Sequence, residues 1–308
     1  MNSKIKVLII SLKNSPRIFH LTKRLNYLKI KYKIIEAISG NEAINKKNIN
    51  LFYNKKDTLD NIGRELSAPE IGCAASHLKA YKFIIKKKID SAIIMEDDAY
   101  PSLFLKKWIN ANVKINNNDI LSFFSNPSGF LRKKPFKTEL KNKIKIHIAK
   151  THIYSCGCYQ INNFTCKKII SITQGKVVGI PDWPFNIKKN KINLLITLPF
   201  LAIINDRGFS YLKESREKIL ENKTFIKKFI PDFLYKLFSP LYYLSYIPYL
   251  ISKKKSWSFY NEHFAYKAFL NIKNLIVEKD INVKDIFYDI NNYTNDLKKD
   301  FLKYIKKS

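Results

Sequence analysis

Three carboxylates stand in succession at Glu96, Asp97 and Asp98, directly after the apolar run SAIIM at residues 91–95. In open α/β sheets ligands bind outside the carboxyl ends of the strands, and this triplet stands at such an end. Side chains alternate along a strand, so Glu96 and Asp98 are expected on one side and Asp97 on the other. Two carboxylates on one side can share a divalent cation through hard oxygen ligands. Left without a cation, three adjacent carboxylates repel one another or force one to bind a proton. A cation held there could neutralise a diphosphate leaving group. The same residues also fit a solvated acidic turn, or a helix cap formed by Asp98.

The elements that must position the triplet are legible around it. IKVLIISL (residues 5–12) is a continuous β-branched apolar run, the pattern of a strand buried on both faces. Ser15 can cap and Pro16 can open a helix in which Ile18, Leu21, Leu25 and Leu28 recur at helical spacing. A second strand spans Tyr32 to Ser39 and stops at Gly40. This β-α-β order predicts a parallel sheet with a right-handed crossover. Residues 41–65 are polar and without period, and read as a loop. A helix starting near Pro69 sets Ile71, Ala74, Ala75, Leu78, Tyr81 and Ile85 on one apolar face, and the triplet strand follows it. Further on, 101–112 reads as a helix, 119–124 as a short strand, 130–150 as strand-like, and 152–173 as a strand turning into a helix. Apolar strands follow the IPDWP motif at residues 180–184.

With 308 residues the chain has room for one large domain or two small ones. Its 46% hydrophobic and 14% aromatic content excludes a disordered chain. The formal charge of +31 favours an anionic partner. Nearly all basic residues are lysine, the arginines being Arg17, Arg24, Arg64, Arg132, Arg207 and Arg216. Nucleic-acid readers lean on arginine forks, so no nucleic-acid partner is expected, and an AT-rich coding bias accounts for part of the charge. The cysteines are Cys73, Cys156, Cys158 and Cys166; no CxxC pair occurs, and Cys156-x-Cys158 has no second pair to complete a zinc site. Free buried thiols in a reducing compartment are expected. The N-terminal apolar run is too short for a signal-peptide core with its cleavage site, so the cytoplasm is the expected location. Residues 225–257 are dense in Phe, Tyr and Leu and flanked by lysines, but Pro231, Lys236, Pro240 and Pro248 interrupt them. That composition suits a segment lying on an anionic membrane surface; a helical subdomain and a true span are the other readings. The last fifty residues read as helices with a charged, solvated face.

EIGCAASHLKAYKFIIKKKIDSAIIMEDDA, residues 70–99, resembles glycosyltransferase family 25. The family's Glu-[Ile/Leu]-[Gly/Ala]-Cys-x-x-Ser-His helix is matched at Glu70, Gly72, Cys73, Ser76 and His77, and its Glu-Asp-Asp-Ala strand end at Glu96 to Ala99. The opening is also similar: ISL at 10–12, Arg17, and the Ala-x-x-Gly turn at Ala37 and Gly40. Asp182 and Trp183 resemble a later Asp-Trp motif. The resemblance covers about residues 5–216. It implies a GT-A-like α/β fold (Rossmann-like, a mainly parallel sheet flanked by helices) over residues 1–216. Residues 217–308 would be a helical, aromatic- and lysine-rich region for membrane-surface attachment.

The resemblance also implies an activity: inverting transfer of a hexose, usually galactose, from a UDP-sugar with Mn²⁺ or Mg²⁺ to a lipid-linked lipooligosaccharide or lipopolysaccharide core acceptor. The enzyme would sit peripherally at the anionic inner face of the inner membrane. Asp98 would ligate the metal directly, Glu96 directly or through water, and Asp97 would contact the donor ribose or sugar. Arg17 would reach the UDP phosphates, with Ala37 beside the donor. An inverting step needs a general base, for which Asp182 is the candidate and Glu70 the alternative, unless Glu70 caps or orients its helix. Trp183 offers a ring for sugar stacking, and His77 orients the site or serves as a structural hydrogen-bonder. In IINDRGFS (residues 203–210) the sequence departs from the family, which has a Gln before a Ser-containing stretch; Ser210 is the acceptor-side candidate there. A catalytically degenerate scaffold and a basic nucleic-acid binder are the rival readings.

Overall fold

A computed structural model describes residues 5–45, 47, 49–124, 137–140, 144–148, 156–181, 191–198 and 200–204. The first strand, β1 (Lys6–Ser11), is buried from Val7 onward, as a β-branched run covered on both faces must be. Pro16, not Ser15, occupies the N-cap of α1 (Arg17–Tyr27), whose inner face buries Leu21, Arg24 and Leu25. The chain returns as β2 (Lys33–Glu36), parallel to β1.

The stretch read as a loop holds three short helices: α2 (Gly40–Ile44), α3 (Ile49–Phe52) and α4 (Lys55–Ile62). Helices of 4 to 8 residues are too short for a 3.6-residue period to register. Their signal lies in the caps. Ser39 accepts from the Glu42 N–H, Asn54 accepts from the Asp57 N–H, and Gly63 ends α4 at a left-handed φ of 74°.

Next comes α5 (Ala68–Lys86), started by a Ser67/Glu70 capping box with Pro69 in the first turn. Its buried face carries Ile71, Ala74, Ala75, Leu78 and Tyr81 as expected, but Ile84 rather than Ile85 completes it. It leads into β3 (Ser91–Glu96), which lies parallel to β1. Then follow β4 (Ala99–Pro101), α6 (Leu103–Asn110) capped by Ser102, β5 (Asp119–Ser122), β6 (Lys137–Glu139) and β7 (Ile144–Ile148). β8 (Cys158–Asn162), α7 (Asn163–Thr173), β9 (Asn193–Leu198) and β10 (Ala202–Ile204) complete the described elements.

The fold is mixed α/β. Its sheet order is β2-β1-β3-β8-β5-β9-β7-β6, and β4 pairs with β10 in a separate two-stranded sheet. The sheet is mixed rather than mainly parallel. β1–β2, β1–β3 and β5–β9 are parallel, whereas β8 runs antiparallel to both β3 and β5, and β7 antiparallel to β9 and β6. A buried polar network fixes β8 in its place. Trp108 donates its indole N–H to Gln160 Oε1 at 2.7 Å, and Gln160 Nε2 donates to Ser91 Oγ and the Val113 carbonyl, each at 2.9 Å. Both ends of the glutamine amide are therefore satisfied, as burial requires.

No helix among the described residues is long and apolar enough to cross a membrane. The segment at 225–257 and the whole region 217–308 lie outside the described residues.

Candidate active site

The strand order reverses at β1: β2 lies on one side of it and β3 on the other. Such a reversal leaves a crevice at the carboxyl ends of the strands. A cavity of about 300 Å³ opens there, lined by Ser11, Arg17, Ala37, Cys73 and all three carboxylates of the triplet.

Glu96 ends β3 and turns toward α5. Its Oε1 lies 3.1 Å from His77 Nε2, 3.0 Å from Cys156 Sγ and 3.7 Å from Cys73 Sγ. On the other side of the imidazole, His77 Nδ1 is 2.7 Å from Tyr159 Oη, which is 2.7 Å from Tyr81 Oη. Burial works against charge on both His77 and Glu96. The contacts with Cys73 and Glu96 outweigh it at His77, lifting it to about 9, and those with His77 and Cys156 outweigh it at Glu96, holding it at about 2. In the bare protein the two form an ion pair.

Strand alternation does not continue past Glu96, because β3 stops there and Asp97–Asp98 form a turn. Both aspartates consequently reach Arg17, at the first position of α1. Arg17 Nη1 donates to Asp98 Oδ2 at 2.9 Å, and Nη2 makes an ion contact with Asp97 Oδ1 that lacks hydrogen-bond alignment. Ser11 Oγ donates to Asp97 Oδ2 at 3.0 Å. The expected grouping of Glu96 with Asp98, apart from Asp97, is replaced by Asp97 with Asp98 around one guanidinium.

Burial and the neighbouring charge of Glu96 push Asp98 up to about 7, against the pull of Arg17. Its Oδ1 is buried and accepts no hydrogen bond among the described residues. A buried carboxylate oxygen without a donor is costly. Hard oxygens, one lacking a partner, at the edge of a cavity are the donor set a small divalent cation takes. The residues present therefore fit such an ion.

The family model for Glycosyltransferase family 25 (LPS biosynthesis protein) matches residues 4–181. The chain belongs to glycosyltransferase family 25. Membership implies a glycosyltransferase of lipopolysaccharide biosynthesis, with a sugar donor and a lipopolysaccharide-type acceptor. The chain has no match among curated protein sequences.

Several residues of this family 25 enzyme were singled out from sequence. Ala37 lines the cavity and donates its N–H to the Ser11 carbonyl at 2.8 Å, closing the β1–β2 edge. Glu70 is fully buried and stands outside the cavity lining. It accepts from Ser67 N–H at 3.1 Å and takes both Arg64 nitrogens at 2.8 Å. Of the roles open to it, capping and orienting α5 is the one its contacts serve. Asp182, Trp183 and Ser210 lie outside the described residues, and the family match ends one residue before Asp182.

Sequence reasoning assigned no site role to Ser11, Ser76 or Cys156. Ser76 Oγ accepts from the Ile38 N–H at 2.8 Å and donates to the Gly72 carbonyl at 2.7 Å, tying α5 to the exit of β2. Its signal was its place in the Cys-x-x-Ser-His helix. Cys156 gave no linear signal, since its partners lie 60 or more residues away.

Proposed function

We propose that this family 25 enzyme moves a hexose, galactose first among the candidates, from a UDP-sugar to a lipooligosaccharide or lipopolysaccharide core acceptor with inversion. One observation carries the reading. Asp98 presents a buried carboxylate oxygen without a hydrogen-bond donor among the described residues, beside Arg17 at the edge of the cavity where the strand order reverses. Asp98 and Asp97 would hold Mn²⁺ or Mg²⁺, which when bound neutralises the charge of a diphosphate leaving group. Glu96 is not assigned to that ion, because its Oε1 is already engaged by His77 and Cys156.

This chain's own residues supply the rest. Arg17, held by two carboxylates at 31% exposure, offers a guanidinium fork suited to phosphate oxygens. Ser11 and Ala37 line the donor side of the cavity. Asp182 is proposed as the base that takes the acceptor hydroxyl proton, Trp183 as the sugar platform, and Ser210 as an acceptor contact. The mixed sheet, with its carboxylate turn at the end of a central strand, accords with a GT-A arrangement. The lysine- and tyrosine-rich residues 225–257 are proposed to hold the enzyme at an anionic membrane surface where a lipid-linked acceptor resides.

The test is donor hydrolysis by the purified full chain over a panel of UDP-sugars, with and without Mn²⁺, beside Asp98→Ala. Slow, metal-dependent UDP release from one sugar, lost in the variant, is expected. Silence from every donor, with no heat of UDP·Mn²⁺ binding, would leave a non-catalytic relative serving as a scaffold.

A further inference from the structure

We infer that Cys73, His77, Glu96 and Cys156 form a second metal site, selective for zinc, beneath the carboxylate turn. The four ligand atoms all lie within 4.8 Å of one another. Around tetrahedral zinc, with bonds of about 2.0–2.3 Å, ligand atoms stand roughly 3–4 Å apart, so small side-chain adjustments close the set.

Three elements deliver the ligands. Cys73 and His77 are four residues apart on α5 and so share one face. Glu96 comes from the end of β3. β8 runs antiparallel to β3 with Met95 opposite Cys158, and the pairing extends to Gly157, whose carbonyl accepts from the Glu96 N–H at 2.8 Å; the next residue, Cys156, reaches Glu96 Oε1 with its sulfur at 3.0 Å. Cys158 faces the core instead, at 1% exposure. The Cys156-x-Cys158 spacing therefore hides the true relationship, which is between Cys156 and Cys73.

Two further features point to an ion rather than to an ordinary polar cluster. Two thiols and an imidazole all converge on the single oxygen Glu96 Oε1, at 3.0 to 3.7 Å. A carboxylate oxygen has two lone pairs, so three donors crowd it, whereas one cation would satisfy all four groups. The outer contacts of His77 are also those of a metal ligand. Its Nδ1 is fixed by Tyr159 Oη, itself fixed by Tyr81 Oη, which leaves Nε2 directed at the cluster.

The donor chemistry separates this site from the aspartate pair. Thiolate and imidazole select zinc, whereas carboxylate oxygens alone suit Mn²⁺ or Mg²⁺. Four protein ligands make a closed, structural site. It would clamp α5 to β3 and to the start of β8, fixing the backbone directly before Asp97.

The experiment uses the full chain. Metal content is measured on protein purified without chelator; the protein is then stripped and titrated with Co²⁺. The expected result is about one equivalent of zinc, replaced by cobalt with thiolate-to-metal charge transfer and the strong visible bands of a tetrahedral ion. Cys73→Ser and Cys156→Ser should each roughly halve the charge-transfer intensity, while Cys158→Ser and Asp98→Ala leave it unchanged. The wild-type titration stands alone if a variant fails to fold. Absence of thiolate–cobalt absorption in the wild type would overturn the inference. So would a spectrum indifferent to both cysteine variants, or a Cys73–Cys156 disulfide found by mass spectrometry in the isolated protein.

Discussion

Gly72 in α5 lies against Gly40, the first residue of α2, with no room for a side chain between them. A Cβ on Gly72 would stand 2.8 Å from the Gly40 nitrogen and 2.7 Å from the Ile38 carbonyl oxygen, and one on Gly40 would stand 2.7 Å from the Ala68 carbonyl carbon. Gly40, Ala68 and Pro69 all line the cavity, so this close crossing sets the position of one of its walls.

Gly72→Ala should therefore destabilise the protein by roughly 1–3 kcal/mol, the usual range for overpacking against atoms that cannot turn aside. The fall should show in the thermal unfolding midpoint. An unchanged midpoint would mean that α5 can move off α2 freely.

Glu70→Gln separates a structural role from a catalytic one. Loss of the charged bonds to Arg64 should cost roughly 2–3 kcal/mol, with kcat for UDP release nearly unchanged once the protein is folded. A collapse of kcat at unaltered stability would make Glu70 the base instead.

Arg17→Ala removes the cation that Asp97 and Asp98 share. We expect kcat/KM to fall about 10- to 100-fold, the equivalent of one charge-assisted contact. Arg17→Lys should restore only part of it, because an ammonium cannot span two carboxylates as a fork does. Full rescue by lysine would reduce Arg17 to a point charge.

Alkaline pH should weaken the fold. Burial pushes the Cys158 and Cys166 thiols up, and pushes the Tyr81 phenol up against its bond to Tyr159. The folded chain keeps protons that the unfolded chain begins to release at about pH 8.5 for Cys and about 10 for Tyr. Their contribution is thus complete below those values and is lost as pH rises, by about 1.4 kcal/mol per pH unit for each group. Guanidinium midpoints measured from about pH 8 to pH 10.5 should decline with increasing steepness; a flat profile would contradict the burial of these groups.

Deleting residues 225–308 should shift the protein from membrane to soluble fractions, provided the remainder folds, which circular dichroism would establish. The distribution should also respond to salt, as lysine attraction to anionic lipid does. An unaltered distribution would remove the tail from the account of membrane attachment.

The parts of the fold written in long periodic segments were legible in the sequence. β1, α1 and α5 each carry their apolar residues over enough turns or pleats to announce themselves, the short β2 was marked by its paired isoleucines before Gly40, and the strand ending at Glu96 followed from its position. The three helices between Gly40 and Ile62 were not, since each is shorter than its own period needs and depends on single capping side chains. The site was half legible. Arg17, Ala37 and the triplet do meet, but alternation misassigned the partners of Asp97 and Asp98 because β3 ends at Glu96, two residues short of Asp98. Cys156 could not be placed at all without knowing that β8 runs backward between β3 and β5.

That reversed strand also has a consequence for synthesis. β2, β1 and β3 can pair as soon as Glu96 leaves the ribosome, but the other edge of β3 belongs to β8, about sixty residues later. At roughly 5–20 residues per second, a strand with an apolar centre, Ala92 to Met95, waits several seconds with its edge open. β5 emerges during that interval, yet its described partners are β8 and β9, both still to come. An open edge is a template for wrong pairing. The nascent chain is therefore most exposed to aggregation in this interval; the arrival of β8 joins β5 to β3, and β7 with β6 is joined on only when β9 follows.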